Sequence, residues 1–93
     1  FKRASIIGLG LIGGSLARAI RANHLATTIV GCDPNEVSLA FARKEGFIDI
    51  ATSDAKEAVQ NCDLVLIATP PAALENIAKT IAPNVGENAI VMD

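Results

Sequence analysis

The chain has 93 residues, of which 51% are hydrophobic and 3% aromatic, and its formal net charge is −2. That length supports one small domain, and the composition calls for an aliphatic core of Ile, Leu, Val and Ala, as suits a parallel sheet covered by helices. The eight basic residues are scattered and the only aromatics are three phenylalanines, so neither a phosphate-tracking groove nor a base-stacking platform is expected, and nucleic acid is excluded as a partner.

The first strand is predicted at Ala4 to Ile7. It leads into Gly8-Leu9-Gly10-Leu11-Ile12-Gly13, and a helix follows from about Leu11 to Asn23. Glycines at G-x-G-x-x-G spacing also occur in turns that bind nothing. Between a strand and a helix the same spacing is the dinucleotide fingerprint. Gly8 would turn the chain sharply off the strand, in a backbone geometry that a side chain penalises. Gly10, without a Cβ, would let a pyrophosphate approach the backbone, and Gly13 would let the helix pack tightly on the strand. The helix then points its free N–H groups and the positive end of its dipole at the phosphates. Ile12, Leu16, Ala19 and Ile20 form the expected inward face, with Asn23 as the C-terminal cap. Lys2-Arg3, an apolar run and Ala17-Arg18-Ala19 imitate a secretory signal, but glycines at fingerprint spacing inside the run argue against one. His24, the single histidine, falls in the loop after the helix. That is the end away from the strands' carboxyl termini, where this kind of sheet holds ligands, so His24 reads as a surface residue.

The second strand is predicted at Thr28 to Cys32, with Asp33 just beyond it, about 20 residues past the third glycine. An acid there can hold the hydroxyls of an adenosine ribose. Asp33-Pro34-Asn35-Glu36 also reads as a capping box with proline at the first helical position, so Asp33 can equally be a helix cap. A carboxylate has two oxygens, and the roles need not exclude each other. The second helix continues through Val37, Ala40, Phe41 and Lys44 and stops at Gly46. Phe47 to Ala51 is the weakest strand, short and carrying an acid, as an edge strand should. Ser53 or Asp54 can cap a short helix through Val59. Asp63 to Ala68 is apolar on both faces, hence central. Thr69-Pro70-Pro71 ends it. Pro71 starts a helix to about Ile81 with Leu74, Ile77, Ala78 and Ile81 inward, closed by Pro83 and Gly86. The fifth strand is Ala89 to Met92.

This alternation gives an α/β doubly wound parallel sheet of the Rossmann type, in strand order 3-2-1-4-5 with right-handed crossovers. The switch point lies between strands one and four, so Gly8 to Gly13 should face Thr69-Pro70 across a crevice. NAD is the expected cofactor. Its pyrophosphate would lie on Gly8, Leu9, Gly10, Leu11, Ile12 and Gly13, its adenosine ribose on Asp33 and its nicotinamide end near Thr69 and Pro70. Cys32 and Cys62 lack metal-ligand spacing, and no metal site is expected. They belong at opposite ends of the sheet, too far apart for a disulfide. Two free thiols suit a reducing compartment, so the cytoplasm is expected. The apolar run from Leu64 to Leu74 is broken by Thr69, Pro70 and Pro71 and is too short to cross a bilayer.

Gly8-Leu9-Gly10-Leu11-Ile12-Gly13-Gly14-Ser15-Leu16-Ala17 resembles the opening of the prephenate dehydrogenase family, which includes arogenate and cyclohexadienyl dehydrogenases. The doubled glycine followed by serine is more telling than the three fingerprint glycines. Gly46-Phe47-Ile48-Asp49 and Asn61-Cys62-Asp63-Leu64-Val65-Leu66-Ile67-Ala68-Thr69-Pro70-Pro71 are similar to the family's third and fourth strands, and Val91-Met92-Asp93 to the end of its fifth. The resemblance implies oxidative decarboxylation of prephenate to 4-hydroxyphenylpyruvate on the route to tyrosine. Hydride passes to the nicotinamide, carbon dioxide leaves as the ring aromatises, and no metal takes part. Asp33 resembles the acid of NAD-preferring members, and no arginine follows closely to hold the 2′-phosphate of NADP. Family members continue past the position matching Asp93 into a Gly-Ser-Val-Lys segment, a catalytic histidine and a helical dimerisation domain. Residues 1–93 are therefore expected to be the cofactor-binding part of a larger homodimeric enzyme with a small-molecule substrate, and no catalytic residue is assigned among them. Two alternatives remain open. β-Hydroxyacid dehydrogenases and pyrroline-carboxylate or ketopantoate reductases share the glycines and the apolar fourth strand. A nucleotide-sensing module would bind NAD or NADH without chemistry.

Overall fold

A computed structural model describes residues 1–93. In chain order it contains β1 (Arg3–Ile7), α1 (Leu11–Ala22), β2 (Thr28–Cys32), α2 (Glu36–Lys44), β3 (Ile50–Thr52) and α3 (Ala55–Ala58). These are followed by β4 (Leu64–Ile67), α4 (Pro71–Ile81), a 3-10 turn (Ala82–Asn84) and β5 (Ile90–Met92). The strands form one parallel sheet in the order β3-β2-β1-β4-β5, as the alternation of elements requires. Central β1 is paired on both sides: Ser5 stands opposite Val30 of β2 and Val65 of β4.

Successive side chains of a strand point to opposite faces, and the two faces carry separate cores. Ile6 and Ile29 pack with Ala17 and Ile20 of α1 and Leu39 and Ala42 of α2. Ile7, Val30, Val65 and Ile67 pack with Ala58 and Val59 around α3 and with Ile81 of α4. Ser5 is fully buried and its hydroxyl has no partner. No helix is long and apolar enough to cross a membrane.

The inward face of α1 differs from the expected one. Gly13, Ala17 and Ile20 are buried, whereas Ile12 is 69% and Leu16 37% exposed and Ala19 is exposed. The cause is the approach of Gly13 to the turn: a Cβ there would stand 1.7 Å from the Gly8 carbonyl oxygen. That contact sets the rotation of the helix and turns the row Gly13, Ala17, Ile20 onto the sheet, taking Ile12 and Leu16 off it. In α4 Ile81 is buried and Leu74 and Ile77 are half-buried, but Ala78 is exposed.

The edge strand also shifts. Phe47 and Ile48 are buried but precede the strand, which starts at Ile50 opposite Val30. Asp49 intervenes: its N–H donates to the Ile29 carbonyl and its carboxylate accepts from the Ile29 N–H, both at 2.8 Å. Arg21 pairs with the other oxygen of Asp49 at 2.8 Å. Asp63 braces the same end of the sheet between β4 and β1, accepting from the N–H groups of Lys2 (2.9 Å) and Arg3 (3.0 Å). These two bonds hold its carboxyl below the ordinary value. Cys32 and Cys62 are both buried and unpaired.

Candidate functional site

The glycine turn leaves β1 with Gly8 at φ +97°, a backbone conformation that L side chains rarely adopt. Its N–H donates to the Cys32 carbonyl at 2.7 Å. A Cβ on Gly8 would come within 2.9 Å of the Ala68 carbonyl oxygen, so the turn lies directly against the end of β4. Gly13 is closed in by the Gly8 carbonyl, while a Cβ on Gly10 would meet nothing within 4 Å. Each glycine therefore has the geometry its place in the motif calls for: a tight turn, an open approach and a close helix contact.

α1 begins over this turn without a side-chain cap and without an acid in its first turn. The N–H groups of Gly10, Leu11, Ile12 and Gly13 find no acceptor in the chain. Four unsatisfied donors at the positive end of a helix form an anion site.

Asp33 stands at the end of β2. One carboxylate oxygen accepts from the Leu9 N–H at 2.7 Å and the other from the Asn35 N–H at 2.8 Å. The helix cap is not Asp33 but Asn35, whose Oδ1 accepts from the N–H groups of Val37 (2.9 Å) and Ser38 (3.3 Å). Asn35 takes the cap because the Asp33 carboxylate is already engaged between the glycine turn and the start of α2.

A crevice of about 760 Å³ opens at the carboxyl ends of the strands. Gly8, Gly10, Leu11, Ile12, Asp33, Thr69 and Pro70 line it. Leu9 and Gly13 lie behind that surface: the Leu9 side chain is buried in the α1–α2 core, and Gly13 is covered by the turn. The lining also takes in Ser53 at the end of β3, Ala55 of α3, and Ala73 and Ile77 of α4. Sequence reasoning missed these four. Ser53 and Ala55 could have been found from the rule that ligands lie beyond the strand ends, had β3 been placed later. The Thr69 hydroxyl, at the rim facing the glycine turn, is buried without a partner. The Cys32 thiol beside Asp33 is pushed up to about 11, first by burial and then by the charges of Asp33 and Asp54. It is a neutral wall rather than a nucleophile. His24 lies in the α1–β2 loop, at the opposite end of the sheet, with φ +53°.

No histidine, lysine or arginine lines the crevice. Its walls are largely apolar, its anion site is made of backbone and its one charge is a carboxylate. Such a surface can seat a diphosphate and a ribose between apolar walls. Cys32 and Asp33 are the only titratable side chains in the crevice lining.

Comparison with known proteins places the chain in a family. The family described as "Prephenate dehydrogenase, nucleotide-binding domain" matches residues 16–93. Cyclohexadienyl dehydrogenase of Zymomonas mobilis subsp. mobilis is 39% identical over 93 residues, all of this chain and 32% of that protein. Prephenate dehydrogenase of Bacillus subtilis is 42% identical over 65 residues, 70% of this chain and 18% of that protein. Among solved structures, prephenate dehydrogenase from A. aeolicus, in complex with hydroxyphenyl propionate and NAD+, superposes with a TM-score of 0.88. It is 29% identical, and the match covers 98% of this chain and 32% of that one. Synechocystis arogenate dehydrogenase gives a TM-score of 0.87 at 25% identity, over 96% of this chain and 31% of that one. The chain thus spans about a third of the length of the Zymomonas, A. aeolicus and Synechocystis proteins. On the match over residues 16–93, this chain belongs to the family of prephenate dehydrogenase nucleotide-binding domains.

Proposed function

We propose that this chain is the NAD-binding part of a dehydrogenase that oxidatively decarboxylates prephenate or arogenate on the way to tyrosine. The observation that carries the reading is the joint geometry of the turn and the acid. Four free N–H groups at the start of α1 and the Asp33 carboxylate share one crevice with the end of β4.

NAD fits the residues present. The amides of Gly10, Leu11, Ile12 and Gly13 take its pyrophosphate, with the open side of Gly10 giving access. Asp33 takes the adenosine ribose, and the adenine passes toward Ser53 and Ala55. Thr69 and Pro70 face the nicotinamide end, where the unpaired Thr69 hydroxyl can bond the cofactor. Bound NAD supplies a hydride acceptor. The chain's own residues orient that cofactor and shield it with apolar walls. Asp33, with no cation beside it in the crevice, disfavours the extra phosphate of NADP. The acid–base and substrate-binding groups are assigned to the larger enzyme, of which residues 1–93 form the cofactor domain. That enzyme is read as a cytoplasmic homodimer with a helical dimerisation domain.

The test offers prephenate and arogenate separately to the intact enzyme, with NAD or NADP, and follows NADH or NADPH by absorbance. Turnover of either substrate with NAD is expected. A crevice lining without histidine, lysine or arginine favours one second reading, a domain that senses NAD or NADH without chemistry. Silence in all four combinations, with NAD still bound, would select it.

A further inference from the structure

The β1–β2 ladder ends at Ile7 opposite Cys32. Two further N–H groups of the turn nevertheless remain tied to the β2 side. Gly8 donates to the Cys32 carbonyl and Leu9 to the Asp33 carboxylate, each at 2.7 Å. The Asp33 side chain acts as one more rung of the ladder where the backbone no longer pairs. Its second oxygen is held by the Asn35 N–H at 2.8 Å, so the rung is fixed at its far end by the start of α2. The Leu9 side chain is anchored in the core. Immediately after Leu9 the chain is open: Gly10 has no neighbour within 4 Å of a Cβ position, and the four free N–H groups begin.

We propose that Asp33 is a positioning residue for the phosphate-binding turn, in addition to its place as acceptor for the ribose. By fixing the Leu9 N–H it sets the direction of the Gly10 to Gly13 amides. This role rests on the reading of the crevice as an NAD site. It makes a prediction opposite in sign to simple electrostatics. A carboxylate near a diphosphate repels it, so an Asp33 that touched only ribose could be removed without harm to a ligand lacking ribose hydroxyls. An Asp33 that aims the amides cannot.

The experiment titrates the chain and its variants D33N and D33A, calorimetrically, with ADP and with dideoxy-ADP, which lacks both ribose hydroxyls. The expected result is that D33A, which leaves the Leu9 N–H without its acceptor, weakens dideoxy-ADP by about tenfold, the scale of a lost hydrogen bond to a charged group. D33N, whose amide oxygen still accepts from that N–H, weakens it less. D63N serves as control. It removes a carboxylate that accepts two N–H groups at the other end of the sheet, and should lower stability while leaving dideoxy-ADP affinity unchanged. Equal or tighter binding of dideoxy-ADP by folded D33A overturns the positioning role and leaves the ribose contact standing. Failure of the unaltered chain to bind ADP overturns the nucleotide site itself, and this role with it. An amide resonance adds a readout that does not depend on the variants. The Leu9 N–H of the unaltered chain should lie well downfield and exchange slowly. An ordinary, fast-exchanging Leu9 amide overturns the proposal even if neither Asp33 variant folds.

Discussion

A Cβ on Gly13 would stand 1.7 Å from the Gly8 carbonyl oxygen, whereas one on Gly14 would meet nothing within 4 Å. Two adjacent glycines of one helix therefore respond oppositely to the same change. Gly13→Ala should lower stability by about 3 kcal/mol or more, at the upper end for overpacking, because the obstacle is backbone. Gly14→Ala should raise it by about 1 kcal/mol, the helix-propensity difference between the two residues. Urea unfolding of both variants checks the signs. Asp63 makes a pH prediction. Its folded carboxyl is held below the ordinary 3.8, chiefly by the N–H groups of Lys2 and Arg3. On acidification the unfolded chain takes up this proton first. The bracing is thus fully present above the unfolded value and is lost as pH falls toward and through the lowered folded one. Denaturation curves below about pH 4 should be less steep with pH in D63N than in the unaltered chain. An equal slope would remove Asp63 as a source of acid sensitivity.

The elements show which parts of the fold could be read from sequence. The unit from β1 through the glycine turn to α1 and β2 was legible because strand, glycines, helix and acid each carry a local signal, and all agree. α4 was legible from Pro71 onward, since proline at the first helical position both ends one element and starts the next. The rotation of α1 was not legible. Ile12 and Leu16 advertise a face by hydrophobicity, but the approach of Gly13 to the Gly8 carbonyl across the turn has no signature in apolar spacing. β3 was misplaced because Phe47 and Ile48 are core residues without being ladder residues, and the Asp49 side chain stands in for pairing at that point. The place of Asp33 on the crevice was legible. Its exclusion from capping was not, because it follows from the bond to Leu9 across the sheet. Asn35 takes the cap instead, so Asn35→Ala should cost about 1 kcal/mol of stability. Thermal unfolding checks this, and an unchanged midpoint would count against the assignment of the cap.

At the scale of the whole molecule the sheet is unequally protected. β3 and β5 are both three-residue edge strands with one partner each, but β3 is half-buried at Ala51 and Thr52 whereas every residue of β5 is exposed. Ile90, Val91 and Met92 are each about half exposed, and no charged residue interrupts them. A free, uncharged edge is a template for pairing. The chain by itself should associate as its concentration rises, and V91K should reduce that association. Sedimentation velocity across a concentration series measures both, and a clean monomer at high concentration would contradict the reading of this edge. At the same scale, the strand order brings three chain-distant segments to one crevice: the glycine turn, Asp33 and the end of β4. The central claim is that this crevice is an NAD site with a preference set by Asp33. Parallel calorimetric titration of the chain with NAD and with NADP tests it most directly. The account predicts saturable binding of NAD and weaker binding of NADP by about tenfold or more, since no cation offsets the repulsion between Asp33 and a 2′-phosphate. No binding of NAD, or tighter binding of NADP, would contradict it.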